Sequence, residues 1–301
     1  MRKNWLGLLV GIATLIFAVG QTRPDEAAFD IQMTRRAKVG DHYLSSRTID
    51  ESENTSVVMG GKKMPLEGTK FSTVLAAHIT IETVDITGQV TGISAQIESF
   101  DQIAGDKRKA LLKKGDDLRI DYTERGPSCT LKDGELSEEV REALAKFYPP
   151  RRDNEASEDD VFGTKDKQKI GASWPVHPDP FVKDAEVNSI KVDPKDVQGT
   201  TTLKEKTNVR GMPCLKLVGA ITTKDFASAV PEGMTLHSSE LVMHTEGNYP
   251  IDTSKPVLDW SVDLTIKLAM SGKQGKDAKK EVDFDVTSQR KETGSITLDS
   301  K

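Results

Sequence analysis

Between positions 258 and 270 the chain alternates apolar and polar side chains without a break. Leu258, Trp260, Val262, Leu264, Ile266, Leu268 and Met270 share one parity, and Asp259, Ser261, Asp263, Thr265, Lys267 and Ala269 take the other. Successive side chains of a strand point to opposite faces, so this period of two predicts one long strand with an apolar side and a wet side. After a Gly/Lys loop over 272–280, Val282, Phe284 and Val286 alternate with Glu281, Asp283 and Asp285. The two runs predict an antiparallel hairpin, because a parallel strand covered on both faces would be apolar nearly throughout.

The same pattern recurs upstream. Leu75, Ala77, Ile79 and Ile81 share a face, and a Thr87-Gly88 turn leads into Ile93, Ala95 and Ile97. Further hairpins are predicted for 118–131 and 200–221, followed by a strand over 236–245 that ends at Gly247, Asn248 and Pro250. Helical spacing is scarce. Ser137 as N-cap, Glu138 and Glu139 in a first turn, Val140, Leu144 and Phe147 on one face and the stop at Pro149-Pro150 predict a helix over 137–147. A shorter helix is expected over 106–114, closed by Gly115.

The expected class is therefore mainly β, α+β with few helices: two related curved antiparallel sheets, or open half-barrels, with one or two short helices. The layout divides into a lead over 21–38, a first β subdomain over 39–150, a charged linker or crossing loop over 151–169, and a second β subdomain over 170–301. Val39-Gly40-Asp41-His42-Tyr43 opens the first half and Ile170-Gly171-Ala172-Ser173-Trp174 the second. That rhyme hints at an internal duplication.

The N-terminus adds a compartment. Arg2 and Lys3, an apolar run over 5–19, and the small residues Ala18 and Gly20 have the three parts of a secretory signal over 1–20, with the cut placed between Gly20 and Gln21. The alternative is an uncleaved N-terminal anchor, although the run falls short of the ~20 residues that span a bilayer. Gln21 and Thr22 stand where a lipoprotein signal would carry Cys, so lipid attachment by that route is not expected. Periplasmic or secreted placement follows. The formal net charge is −5, and without Arg2 and Lys3 it becomes more negative still. No basic block offsets it, which argues against nucleic acid and anionic membrane as main partners.

Only 5% of residues are aromatic, so the core must be built from Val, Ile and Leu. Cys129 and Cys214 are the two cysteines. In an oxidising compartment a bridge between them is the default expectation, adding about 4 to 5 kcal/mol through its long closed loop. The other reading is two buried thiols.

Candidate chemistry is sparse. His237 and His244 lie in one predicted strand on opposite faces, so only a bulge would let them share a metal. His177 and both cysteines lack a second ligand at zinc-like spacing. Asp153, Glu155, Glu158, Asp159 and Asp160 lack the alternation and central Gly of a calcium loop. No Gly-Lys-Ser/Thr phosphate loop, G-x-S-x-G elbow or H-E-x-x-H is present, so no metal, cofactor or catalytic residue is assigned. What remains is the apolar face of Leu258, Trp260, Val262, Leu264, Ile266 and Leu268 with Phe284. Such a face is ordinarily core, packed on another sheet or on the 137–147 helix. In a strongly curved sheet that wraps a helix it can instead line a cleft for a lipid or acyl chain.

Several short motifs carry a resemblance. They are the Gly-Asp-x-Tyr opening at 40–43, Lys-Asp-Gly-Glu-Leu-Ser-Glu-Glu at 132–139, Gly-x-Ser-Trp at 171–174, and Leu-His-Ser-Ser-Glu at 236–240 ahead of the long strand. With the export signal, the chain resembles a family of exported bacterial β-rich proteins of unknown function. That family's general plan is similar to the open half-barrels of the lipoprotein-carrier and lipid-binding type. Ala172 stands where an acid is commoner in that family. The resemblance implies a fold and a compartment and supplies no catalytic residue. The function expected is a non-enzymatic exported binding protein for an apolar small molecule or an envelope protein. The alternatives are a structural or interaction module of the envelope with a packed core, and an exported hydrolase.

Overall fold

The computed structural model describes residues 27–59, 62–123, 126–150, 156–187, 189–228, 230, 232–273 and 281–298. The signal-like segment with Gly20 and Gln21, and Asp153 and Glu155, lie outside the described residues. The elements in chain order are β1 (His42–Met59), β2 (Lys62–Pro65), β3 (Thr69–Val84), β4 (Val90–Ala104), β5 (Lys107–Leu112), β6 (Asp117–Thr123), β7 (Gly126–Leu131), α1 (Glu138–Phe147), α2 (Glu158–Phe162), β8 (Ser173–Pro175), α3 (Pro178–Val187), β9 (Ile190–Lys191), β10 (Gln198–Val209), β11 (Met212–Lys224), β12 (Ala227–Ser228), β13 (Met234–Pro250), β14 (Asp259–Lys273) and β15 (Glu281–Leu298). The class is mainly β with few helices, as the alternation predicts.

The two halves share one large antiparallel sheet rather than forming a sheet each, and β9 and β12 pair separately. Thirteen strands make the large sheet in the order β7-β6-β4-β3-β1-β15-β14-β13-β11-β10-β8, with β2 beside β1 and β5 beside β4. The pairings are antiparallel throughout. The chain starts in the middle of the sheet at β1 and meanders out to the β7 edge. The segment with α1 and α2 then carries it to the opposite edge at β8, and it meanders back until β15 closes on β1. That last pairing runs from Tyr43 opposite Leu298 to Val58 opposite Asp283 and joins the two halves. Local alternation predicts hairpins between neighbours in sequence; a seam between the first and last strands leaves no local trace.

Register places both halves' cores on one face. Residues directly opposite in an antiparallel pair share a face, and one row runs Phe100, Leu75, Arg47, Gly294, Trp260, Gly247, Leu217, Leu203. At one end of it Phe100 and Leu75 belong to a core with Ile49, Ile79, Ile120, Val140, Leu144 and Phe147. At the other end Leu217 and Leu203 belong to a core with Val161, Phe162, Trp174, Phe181, Val182 and Ile221.

Helix α1 covers the first core. Ser137 caps it by accepting from Val140 N, and Val140, Ala143, Leu144 and Phe147 form its buried stripe. Its C-terminal carbonyls meet cations from the seam: Arg47 Nη1 donates to Phe147 O at 2.6 Å and Arg290 Nη2 to Lys146 O at 3.2 Å. Positive charge there complements the negative end of the helix. Arg47 also bonds Glu292, and Lys146 bonds Glu51, so the helix end is clamped to β1 and β15 together.

Helices α2 and α3 cover the second core. Part of the expected 151–169 linker is thus structured: Ser157 and Asp160 form a reciprocal capping box, and Val161 and Phe162 are buried. The acids Glu158, Asp159 and Asp160 make up the first turn of α2, where negative charge is favourable.

The short helix expected over 106–114 is instead β5. Gly105, at φ +58°, sits at the tight turn that reverses the chain after Ala104, and Ala104 faces Lys107 across it. Lys, Arg, Ala and Leu favour helix, but the backbone of β4 offers pairing partners and Arg108 bonds Asp101 at 2.6 Å. Tertiary pairing overrides the weak propensity.

The lead is also tied down over 28–37. Phe29 exchanges two backbone hydrogen bonds with Gln168, and the Asp159 carboxylate accepts from Met33 N at 2.7 Å and Thr34 N at 3.0 Å. Met33 enters the second core, while Ala37 donates to Gly88 O and packs on the first. This strap therefore links the two cores.

Candidate functional site

The predicted apolar residues divide in the structure. Leu258, the residue before β14, is wholly buried and is a packing residue. Trp260, Val262, Leu264, Ile266, Leu268 and Phe284 share the core-bearing face, with Phe284 directly opposite Met270, and all six remain only partly buried. Leu264, Ile266 and Leu268 touch the edge of the second core. Helices cover the cores on either side, whereas the side chains of this strip in the middle of the sheet stay at intermediate exposure. Trp260 lies flat on its neighbour: a Cβ at Gly294 would come within 2.0 Å of the indole. The strip is bordered by the Arg47, Glu292, Arg290, Glu51 and Lys146 lattice on β1, β15 and α1.

Arg35 is a feature that sequence reasoning missed. Its Nη2 donates to Pro250 O at 2.9 Å and its guanidinium stands 6.0 Å from the Tyr249 ring. Its Nε and Nη1 are buried and have no acceptor among the described residues. Burial lowers its pKa, and the Asp159 charge works in the opposite direction. Arg35 lies in the wall of two cavities. One, about 230 Å³, is mostly apolar and is lined by Phe29, Ile31, Leu215, Leu217 and Tyr249. The other, about 600 Å³, lies between the strap, the 254–256 loop and the ends of β1 and β15. Beneath the strap, the Tyr249 hydroxyl donates to Glu158 Oε2 at 3.2 Å, and burial raises the Glu158 carboxyl to about 6. No motif marks these residues, because Arg35 and Pro250 meet only through the fold.

A third hollow, about 690 Å³, opens on the opposite face of β3, β4, β6 and β7. Its polar groups largely satisfy one another: His42 with Thr80 at 2.9 Å, and Asp117 with Gln96 and Lys132. His42 and His78 stack with centroids 6.0 Å apart.

The expected bridge between Cys129 and Cys214 is not formed; both are free thiols. They lie on β7 and β11, with β6, β4, β3, β1, β15, β14 and β13 between them in the sheet. A disulfide needs Cα atoms within about 7 Å, which that separation prevents. A bulge does fall at His237, yet His237 bonds Ser271 while His244 lies opposite Asp263, several residues further along the strand. His177 meets Gly163 O at 3.2 Å. Among the described residues no group of three His, Cys, Asp or Glu is placed to hold a metal ion.

No protein-family model and no curated protein matches the chain. Among solved structures, weak similarity is found to outer-membrane proteins. The outer membrane protein OprG from Pseudomonas aeruginosa is 12% identical, with 90% of this chain and 100% of that one covered and a TM-score of 0.18. OccK11 (OpdR) from Pseudomonas aeruginosa is 7% identical, with 89% and 100% covered and a TM-score of 0.22. The outer membrane protease OmpT from Escherichia coli is 9% identical, with 88% and 99% covered and a TM-score of 0.17. Superpositions this poor carry no argument about function. No helix among the described residues is long and apolar enough to cross a membrane.

Proposed function

We propose that this is a non-enzymatic, exported binding protein of the cell envelope whose open strip on β14 and β15 holds an apolar ligand. The observation that carries the reading is the position of Trp260, Val262, Leu264, Ile266, Leu268 and Phe284. They lie on the face that elsewhere forms core, between two helix-covered cores, and stay only partly buried. A soluble domain rarely leaves contiguous apolar surface without a partner for it. The export-type N-terminus supports the compartment. The absence of a catalytic motif in the sequence supports a binding role over a hydrolytic one. Native mass spectrometry of protein purified from its own host without detergent tests this. A co-purifying apolar species released on unfolding is expected. Protein that carries none, and takes up no fluorescent fatty acid, would instead fit a structural module with a filled interior.

A further inference from the structure

The cleft of about 600 Å³ at the strap has a positive lining in an acidic chain. Its charged lining consists of Arg35, Arg36 and Lys255 against the single acid Asp41, in a chain whose formal net charge is −5. Asp41 is already engaged, accepting from Lys38 N at 2.8 Å. Among the described residues neither the Arg36 nor the Lys255 side chain is held in a hydrogen bond or close ion pair, and Lys255 interacts with Asp252 through charge alone. Arg36 is nonetheless held in place, because its Cβ, Cγ and Cδ pack over Gly88, where a Cβ would come within 3.1 to 3.3 Å of them. Arg35 stands behind them with two buried N–H-bearing nitrogens that lack acceptors. The remaining wall combines apolar Tyr43, Val90, Pro256 and Leu298 with polar His42 and Ser254.

Three cations from two segments far apart in sequence outnumber the one acid of the lining, with Asp159 and Asp252 acting on Arg35 and Asp252 on Lys255 from outside it, and such a local excess of positive charge in an acidic protein concentrates anions. An adjoining apolar wall removes the body of a ligand from water. The volume falls within the range of small-molecule sites. We infer that this cleft binds an anionic amphiphile, its oxyanion head against Arg36 and Lys255 with Arg35 behind, and its apolar body on Tyr43, Val90 and Leu298. The site is separate from the β14 strip and does not depend on that strip being occupied.

Isothermal titration of the full mature protein with octanoate, octyl phosphate and octan-1-ol tests this. At least one of the two anions should bind at 1:1 stoichiometry, at least tenfold tighter than octan-1-ol, and weaken as salt is raised. Comparing octanoate with octyl phosphate tells whether a carboxylate or a phosphate ester is the preferred head. Arg36→Glu with Lys255→Glu changes two exposed residues, so the fold should persist, and should weaken the anion at least tenfold. The same variant should leave uptake of the neutral dye N-phenyl-1-naphthylamine unchanged, whereas Ile266→Lys on the strip should do the reverse. Equal affinity for octan-1-ol and both anions, no anion binding, or wild-type anion affinity in the charge-reversed variant would overturn the inference.

Discussion

Replacing Arg47 by Met removes the residue that fastens α1 to the seam between the halves. The guanidinium donates to Phe147 O at 2.6 Å and to Glu292 Oε1 through Nε at 3.2 Å and Nη2 at 2.5 Å, and lies 5.2 Å from the Phe147 ring centroid. At 20% and 17% side-chain exposure the Arg47–Glu292 pair is too enclosed to be treated as a freely solvated surface pair. A hydrogen bond from a charged donor is worth roughly 1.5–3 kcal/mol, the helix-end charge about 0.3–1 and the ring contact about 0.5–1. These overlap, and Met retains the apolar stem, so the expected loss is about 3 kcal/mol. For a chain of 301 residues that corresponds to a melting shift on the order of 5 °C. Urea unfolding of Arg47→Met, Glu292→Gln and the double variant measures it. The cycle should return a coupling of about 1–2 kcal/mol, because Arg290 stays within 3.6 Å of Glu292 and compensates part of the loss. A single-variant loss below about 0.5 kcal/mol, or zero coupling, would refute the claim that this lattice joins α1 to the seam.

Three further outcomes follow. The Glu158 carboxyl, raised to about 6 from an ordinary value near 4.5, contributes stability that is present below pH 4.5 and lost as pH rises through 6. Part of Glu158 is exposed, so water screens the penalty and about 1 kcal/mol is expected; urea titrations of Glu158→Gln should show a correspondingly flatter profile between pH 4 and 8, and an unchanged profile would contradict it. Cys129 and Cys214, both with thiol pKa raised by burial, should alkylate slowly in the native protein, and mobility should be the same with and without reductant; a reducible shift would contradict the free-thiol state. Gly294→Ala puts a methyl where the Trp260 indole lies, so a red-shifted tryptophan emission and a loss of about 1–3 kcal/mol are expected; wild-type emission and stability would show that the ring is elsewhere.

What could be read in the sequence was whatever repeats along the chain. The β14–β15 hairpin, the β3–β4 pair and α1 follow from period-two and period-3.6 spacing, with Ser137 and Pro149-Pro150 marking the helix ends. Where the deciding contact is distant in sequence, local pattern fails. β5 has helix-forming residues but pairs with β4. The strap is polar and without period, yet Asp159 and Gly88 hold it. Arg35 meets Pro250 across 215 residues. The cysteine bridge was expected from the compartment alone, and sheet order separates the two thiols. At the candidate site, Trp260 to Leu268 and Phe284 were legible as one face. That α1, α2 and α3 leave this face open could be learned only from the register across the seam.

Whether the β14 strip holds an apolar ligand is measured by equilibrium titration of N-phenyl-1-naphthylamine into the wild-type protein and Ile266→Lys, with circular dichroism confirming that both are folded. Saturable, blue-shifted fluorescence is expected in the wild type, with energy transfer from tryptophan, and at least a tenfold loss of affinity when a charge is placed on the strip. Absence of saturable binding, or equal binding by a folded Ile266→Lys, would contradict it.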